Sequence, residues 1–140
     1  MNSDISELRV LLVDDSAEAI SLVRSMRMKL GINQVFTAKD GRQALDFLGD
    51  CDDLIDAVLC DWRMPKLSGL DVLRRLRTVD PELPFIMITG SADADSVAKA
   101  KDSGVTAYIR KPFSAGQLEK KLNVVARLNN LAAIRNQALS

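Results

Sequence analysis

The chain has 140 residues, of which 47% are hydrophobic, and its 19 acidic residues balance 19 basic ones. This length and apolar content suit one domain with one buried core, and the zero net charge provides no global field to attract nucleic acid or an acidic membrane. No stretch is apolar enough to span a bilayer, and the first residues lack a signal-peptide pattern. We therefore expect a soluble, cytoplasmic protein without nucleic-acid or membrane partners.

Five short apolar runs alternate with stretches of helical periodicity along the chain. The runs lie near residues 9–14, 34–38, 57–61, 85–89 and 107–110. Continuous apolar runs of this length are typical of parallel strands buried on both faces. Because crossovers between parallel strands are right-handed, helices should cover both faces of the sheet. The pattern predicts an α/β fold, a three-layer sandwich of one five-stranded parallel sheet and five helices.

The fourth and fifth helices differ in apolar content. The fourth, near residues 93–103, has only small or scattered apolar residues, so we expect weak packing and freedom to shift. The fifth, from about 114 to 138, would span roughly 37 Å and is longer than the sheet requires. Three of its apolar residues can cover the sheet, namely Leu118, Leu122 and Val125. Three more continue past it, namely Leu128, Leu131 and Ile134, and could form a homodimer seam, dock a partner or fold over their own domain.

Four of the predicted strands end on residues that can bind a metal or a phosphoryl group. These residues are Asp14 and Asp15, Asp61, Thr89, and Lys111. In open parallel sheets the ligand site lies beyond the carboxyl ends of the strands, so these side chains should converge. Three carboxylates in one place repel one another unless a cation intervenes. Oxygen ligands with open positions favour Mg²⁺, with Mn²⁺ as a second possibility.

Asp61 is the expected nucleophile of this site. A carboxylate can attack a phosphoryl group whose charge is neutralised by a metal and a lysine. Asp14 and Asp15 would hold the metal, and Lys111 and Thr89 would face the phosphoryl group. Each residue also has a structural interpretation, such as a capping box formed by Asp15 and Glu18 at the start of the first helix. Coincidence does not account well for all of them at the ends of different strands.

These residues closely resemble the receiver domains of two-component response regulators. The matching segments are VLLVDDS, LCDWRMPKLSGLDVLRRLR, ITGSA and YIRKPF, and the similarity extends from Arg9 to about Arg127. The resemblance implies a flavodoxin-like sheet with strand order 2-1-3-4-5. We expect residues 1–8 to be an N-terminal tail, 9–127 the receiver domain, and 128–140 a C-terminal extension of the last helix.

The resemblance also implies a role for each matching position. Asp61 would be the phosphorylated residue, with Asp14 and Asp15 as acid metal ligands and the backbone carbonyl of Arg63 as a further ligand. Lys111 would bind the phosphoryl group.

Other positions would serve the switch and its rate. Thr89 and Tyr108 would be switch residues, and the Lys111–Pro112 bond would be cis. The side chains of Arg63 and Ser91 would tune the lifetime of the phosphoryl group.

The expected function is that of a phosphoacceptor and not of an enzyme acting on other substrates. Because the chain has no histidine, a histidine kinase or histidine phosphotransfer protein must supply the phosphoryl group. The expected output is a changed contact with a downstream protein on the face formed by the fourth helix, the fifth strand and the fifth helix. A phosphorelay shuttle and a fragment of a longer regulator remain alternatives within this family.

Two other classes share parts of the pattern. A haloacid-dehalogenase-like phosphohydrolase also forms an aspartyl phosphate, but Ser16 stands where its motif requires a second acid. A flavodoxin-like cofactor binder shares the architecture, but the Asp14 and Asp15 loop would repel a phosphate that no metal accompanies.

Overall fold

The computed structural model describes residues 5–90 and 94–139. The strands are β1 (Arg9–Val13), β2 (Gln34–Ala38), β3 (Ala57–Asp61), β4 (Phe85–Thr89) and β5 (Ala107–Arg110). The helices are α1 (Ala17–Leu30), α2 (Gly41–Cys51), α3 (Gly69–Val79), α4 (Ala94–Asp102) and α5 (Ala115–Leu139). Short 3₁₀ turns lie at Ile5–Glu7 and Asp52–Leu54.

The five strands form one parallel sheet in the order β2-β1-β3-β4-β5. This confirms the expected flavodoxin-like order. The three inner strands are almost fully buried because helices cover both faces of the sheet, as the uninterrupted apolar runs predicted. Because the strands are parallel, all three inner strands direct their carboxyl ends toward the same edge of the sheet.

Two hydrophobic clusters fill the two faces. One joins alternate strand residues to α1 and α5, with Leu118 and Leu122 fully buried. The other joins the remaining strand residues to α2, α3 and α4, with Leu73 and Leu76 at its centre. The predicted three-layer sandwich is confirmed.

The structure near the two ends of the chain bears on the expected domain boundaries, which remain predictions. Ile5 and Leu8, from the segment assigned to the N-terminal tail, are buried in the cluster that includes α1 and α5. At the other end, α5 extends to Leu139 as the periodicity predicted. Within the described ranges, no helix combines the length and apolarity needed to cross a bilayer.

Candidate functional site

Three carboxylates meet at the carboxyl edge of the sheet. Asp14 directly follows β1 and is 1% exposed, Asp61 is the last residue of β3 and is 9% exposed, and Asp15 is exposed. Each offers one carboxylate oxygen, and these oxygens lie within 4.8 Å of one another. Within residues 5–90 and 94–139 this is the one group of three potential ligands with metal-binding spacing. The predicted convergence is thus present in the structure.

Lys111 connects this acidic group to the end of β5. Its Nζ lies 3.0 Å from Asp14 Oδ2 and 3.8 Å from Asp61 Oδ1. The Lys111 amide also donates a hydrogen bond to the Thr89 carbonyl at 2.8 Å, which fixes the end of β5 beside the end of β4. The peptide bond between Lys111 and Pro112 is cis, as expected. The lysine is closer to Asp14 than to Asp61, and the sequence contained no signal for this difference.

The environment of Asp61 opposes its ionisation. Burial raises the pKa of this carboxyl, and the Lys111 ammonium partly lowers it. The neighbouring Asp14 raises the pKa again, the Arg63 backbone amide lowers it by hydrogen bonding, and Asp15 raises it. The protein groups alone therefore leave negative charge at the site incompletely compensated.

The donor set fits a hard divalent cation. When all four groups are ionised, three carboxylates and one ammonium leave a formal charge of −2. All three potential side-chain ligands are oxygens, the donors that Mg²⁺ prefers. Asp15 is exposed, so one side of the group is open to solvent and to a ligand. The residues therefore fit the metal that the sequence suggested.

The start of α1 separates the roles of two adjacent residues. Ser16, and not Asp15, is the N-cap, because its Oγ accepts a hydrogen bond from the Ala19 amide at 3.3 Å. Asp14 Oδ1 accepts a hydrogen bond from the Ser16 amide at 2.9 Å. The possible capping box of Asp15 and Glu18 is therefore wrong, since Ser16 fills the capping position. Asp15 therefore does not cap α1, and its carboxylate can serve as a metal ligand in the acidic group.

The remaining predicted site residues occupy different environments. Thr89 ends β4 and is 2% exposed. Arg63 is exposed two residues beyond Asp61. Tyr108 in β5 is 38% exposed, and Lys121 Nζ lies 5.6 Å from its ring centroid. Ser91 lies outside the described residues. The functional roles of these residues, including metal ligation by the Arg63 carbonyl, stay predictions.

The start of α3 positions Asp61 through contacts that sequence reasoning missed. The Gly69 amide donates to the Trp62 carbonyl at 2.9 Å, and a Cβ on Gly69 would lie 2.6 Å from the Asp61 carbonyl oxygen. Ser68 and Asp71 form a capping box at this point. The spacing of Ser68 and Asp71 is a recognisable capping signal. The close backbone approach at Gly69 has no comparable signal, because glycine also occurs in ordinary turns.

Sequence comparison relates the chain to the receiver domains of response regulators. Residues 10–123 match the family model of the response regulator receiver domain. The chain is 36% identical over 120 residues to chemotaxis protein CheY-3 of Vibrio cholerae, covering 84% of this chain and 91% of that protein.

Solved structures show the same relationship. A response regulator receiver domain protein from Clostridium thermocellum is 30% identical, with a TM-score of 0.83 and coverage of 89% of this chain and 98% of that one. A chain of the CheX–CheY–BeF₃–Mg²⁺ complex from Borrelia burgdorferi is 27% identical, with a TM-score of 0.79 and coverage of 84% and 88%. With the family model matching well over half of its length, the chain belongs to the response regulator receiver domain family.

Proposed function

We propose that the protein is a phosphorylation-dependent signalling receiver in which Asp61 accepts a phosphoryl group from phosphohistidine on a kinase or phosphotransfer protein. The observation that carries this proposal is the position of Asp61, whose carboxylate lies beside two further aspartates and 3.8 Å from Lys111 Nζ. Family membership supports the same function. Because the chain has no histidine, a phosphohistidine donor must be another protein.

Phosphoryl transfer requires little of the protein except positioning and charge compensation. An Asp61 carboxylate oxygen attacks phosphorus, the phosphorus–nitrogen bond of phosphohistidine breaks, and the imidazole leaves with the electron pair. The product is an acyl phosphate on Asp61. Lys111 would stabilise the new negative charge, and its ammonium group faces both Asp61 and Asp14. Subsequent attack by water would release inorganic phosphate and restore the carboxylate.

Asp14, Asp15 and Asp61 would hold Mg²⁺, with Mn²⁺ as a possible substitute. The bound cation would offset the charge of the phosphoryl oxygens and of the carboxylates. The BeF₃ and Mg²⁺ in the complex from Borrelia burgdorferi support the relevance of both groups to this family. In this chain Asp14 is well fixed for such a role, since it accepts bonds from the Ser16 amide and Lys111 Nζ.

The proposed output is a shift between two conformations of the face formed by α4, β5 and α5. Moving an equilibrium from 1:99 to 99:1 requires about 5.5 kcal/mol of differential stabilisation. New bonds from Thr89 and Lys111 to the phosphoryl group are the proposed source. Ala100 is the one fully buried residue of α4, so this helix has little packing to oppose a shift. Tyr108 and Lys121 on the same face would transmit the change to a downstream protein.

The direct test is phosphorylation by a small-molecule donor such as acetyl phosphate in the presence of Mg²⁺, followed by intact-mass measurement. We expect a mass increase of one phosphoryl group in the wild type, no increase when a chelator is present from the start, and no increase in Asp61→Asn. Trp62 fluorescence should respond to Mg²⁺, because this buried indole adjoins Asp61. Labelling that persists in Asp61→Asn, or steady turnover of added phosphoesters, would contradict the proposal.

The same assay measures the proposed influence of Arg63 on the lifetime of the phosphoryl group. The Arg63 side chain is exposed, and its amide donates a hydrogen bond to Asp61. We propose that its cationic group screens the phosphoryl group from attacking water. We expect Arg63→Ala to change the dephosphorylation rate severalfold without abolishing phosphorylation. Equal decay rates in the two proteins would rule out this role.

A further inference from the structure

The outward-facing side of α5 carries a stripe of exposed apolar residues, which we call the outer stripe. Its members are Val124, Leu128, Leu131 and Ile134, with exposed fractions of 40%, 43%, 57% and 62%. The spacings of four, three and three residues place them along one side of a helix. Over this length of α5 the outer stripe extends about 15 Å.

The outer stripe lies opposite the part of α5 that covers the sheet. Leu131 follows the fully buried Leu122 by nine residues, or two and a half turns, and Ile134 follows the fully buried Val125 by the same distance. Each pair is therefore about 180° apart around the helix. The suggestion that Leu128, Leu131 and Ile134 fold over their own domain is wrong, because all three side chains are exposed. The positions that continue the buried side of α5 include Asn129 and Ala133.

The positively charged residues of α5 lie near the outer stripe. Arg127 and Arg135 follow the buried Leu118 and Ala126 by nine residues. They therefore lie opposite those buried residues, on the same side of α5 as the outer stripe. Lys120 and Lys121 precede Val124 by about one turn. From Lys120 to the end of the sequence there is no acidic residue. This side of α5 is therefore both apolar and uniformly positive.

The outer stripe begins at a basic groove between β5 and α5. The groove has a volume of about 830 Å³ and its lining includes Tyr108, Arg110, Lys111, Lys120, Lys121 and Val124. No carboxylate is among its described lining residues. Val124 belongs to both the groove and the stripe, so the two form a continuous surface running from Lys111 along α5.

We propose that the outer stripe and its flanking cations bind an acidic amphipathic helix of a partner protein. The apolar side of such a helix would cover Leu128, Leu131 and Ile134, and its carboxylates would meet the cations alongside. This helix-in-groove form of recognition uses anchors at spacings of three and four residues. The anchors Leu128, Leu131 and Ile134 lie beyond Tyr108 and Lys121, the α5–β5 residues that the proposed switch uses. The proposal therefore goes beyond the function of Asp61 and can be tested separately from it.

Two other occupants are less compatible with the charge and composition of this surface. Pairing of two outer stripes in a homodimer would bring two wholly positive helix sides together, which is unfavourable. An anionic membrane would match the charge, but membrane-surface helices commonly present aromatic residues on the apolar side, and α5 contains none. Charge therefore disfavours a second copy of the chain, the lack of aromatic residues disfavours a membrane, and an acidic protein segment remains the favoured occupant.

The test uses the full chain without Mg²⁺ or phosphoryl donor, which separates it from the phosphorylation experiment. The probe is a fluorescent synthetic helix with leucines at spacings of three and four and glutamates elsewhere, and its control has lysines in place of the glutamates. Binding is measured by anisotropy at low and high salt. The variants are Leu131→Gln/Ile134→Gln and Arg127→Gln/Arg135→Gln, and the matched control is Ala133→Gln, on the opposite side of the same exposed segment.

We expect saturable binding of the acidic peptide, at least tenfold weaker binding in both double variants, wild-type binding in Ala133→Gln, and weakening by salt. The lysine peptide should not bind. Light scattering of the chain alone, and flotation with phosphatidylglycerol vesicles, address the other occupants. The proposal is overturned by a dimer that Leu131→Gln/Ile134→Gln dissociates, by vesicle binding without peptide binding, or by the absence of peptide binding altogether.

Discussion

Two helices flank the site on the same side of the sheet, and they are held very differently. α3 follows the strand that ends at Asp61 and buries Gly69, Val72, Leu73 and Leu76. α4 follows the strand that ends at Thr89, and Ala100 is its one buried residue in the described structure. The Asp61 side of the site is thus firmly packed, whereas the Thr89 side, which would respond in the proposed switch, is weakly packed. A receiver needs both properties, because transfer requires fixed geometry and signalling requires an element that moves.

We expect the largest effect from disturbing the contact between Gly69 and the end of β3 that supports Asp61. A Cβ in Gly69→Ala would meet the Asp61 carbonyl oxygen at 2.6 Å and the Trp62 Cα at 2.9 Å. Both are backbone atoms that cannot rotate away, so α3 or the end of β3 must shift. We expect a loss of about 3 kcal/mol in the free energy of unfolding, measured by urea denaturation, together with slower phosphorylation of Asp61.

Gly49→Ala is the matched control. Gly49 lies in α2, and an added Cβ there would meet no atom within 4 Å. This substitution should stabilise the protein by about 0.5–1 kcal/mol, because alanine loses less backbone entropy on forming a helix. Equal stability of the two variants would show that the close approach at Gly69 does not constrain the site.

A second test compares the same substitution in the two helices. Val72 in α3 is fully buried, so Val72→Ala should cost about 2 kcal/mol through lost apolar burial and the cavity left behind. Val97 in α4 is only partly buried, and Val97→Ala should cost less than about 1 kcal/mol. Thermal or urea unfolding measures both. Similar losses at the two positions would mean that α4 is packed as firmly as α3, and the proposed switch would lose its basis.

The weak packing of α4 and the convergence of the site residues were both predictable from sequence. Residues 93–103 have little apolar content, and this is a local property that tertiary structure did not alter. The acidic group was predictable because the carboxyl ends of parallel strands share one edge of the sheet. Buried strands read as continuous apolar runs, so Asp14 and Asp61 could be assigned to strand ends without knowing any contact.

Other features depend on distances that no local pattern encodes. Asp15 and Ser16 are adjacent residues of types that both cap helices, and only the backbone path shows that Ser16 is the cap. The preference of Lys111 for Asp14 over Asp61 depends on the conformation of a long, flexible side chain. The orientation of Leu131 was readable from helical spacing, but its exposure depends on where the sheet ends beneath α5.

The smallest predicted difference concerns polar contacts at the beginnings of the two helices. Ser68 Oγ accepts from the Asp71 amide at 3.2 Å, and Asp71 Oδ2 accepts from the Ser68 amide at 3.0 Å. Ser68→Ala leaves the Asp71 amide without this acceptor and should cost about 1 kcal/mol. In α4, Asp95 pairs with Lys99 at 3.5 Å, but both side chains are largely exposed.

Asp95→Asn should therefore cost less than about 0.5 kcal/mol, since solvent and salt screen exposed pairs within one helix. Added salt should reduce the Asp95→Asn effect further and leave the Ser68→Ala effect largely unchanged. The Ser68 hydroxyl bonds both the amide and the carboxylate of Asp71, and these short contacts are partly buried, so salt screens them much less than an exposed ion pair. Urea unfolding at two salt concentrations measures both effects. A larger loss from Asp95→Asn than from Ser68→Ala would mean that charge interactions, and not packing and capping, determine which helix is held more firmly.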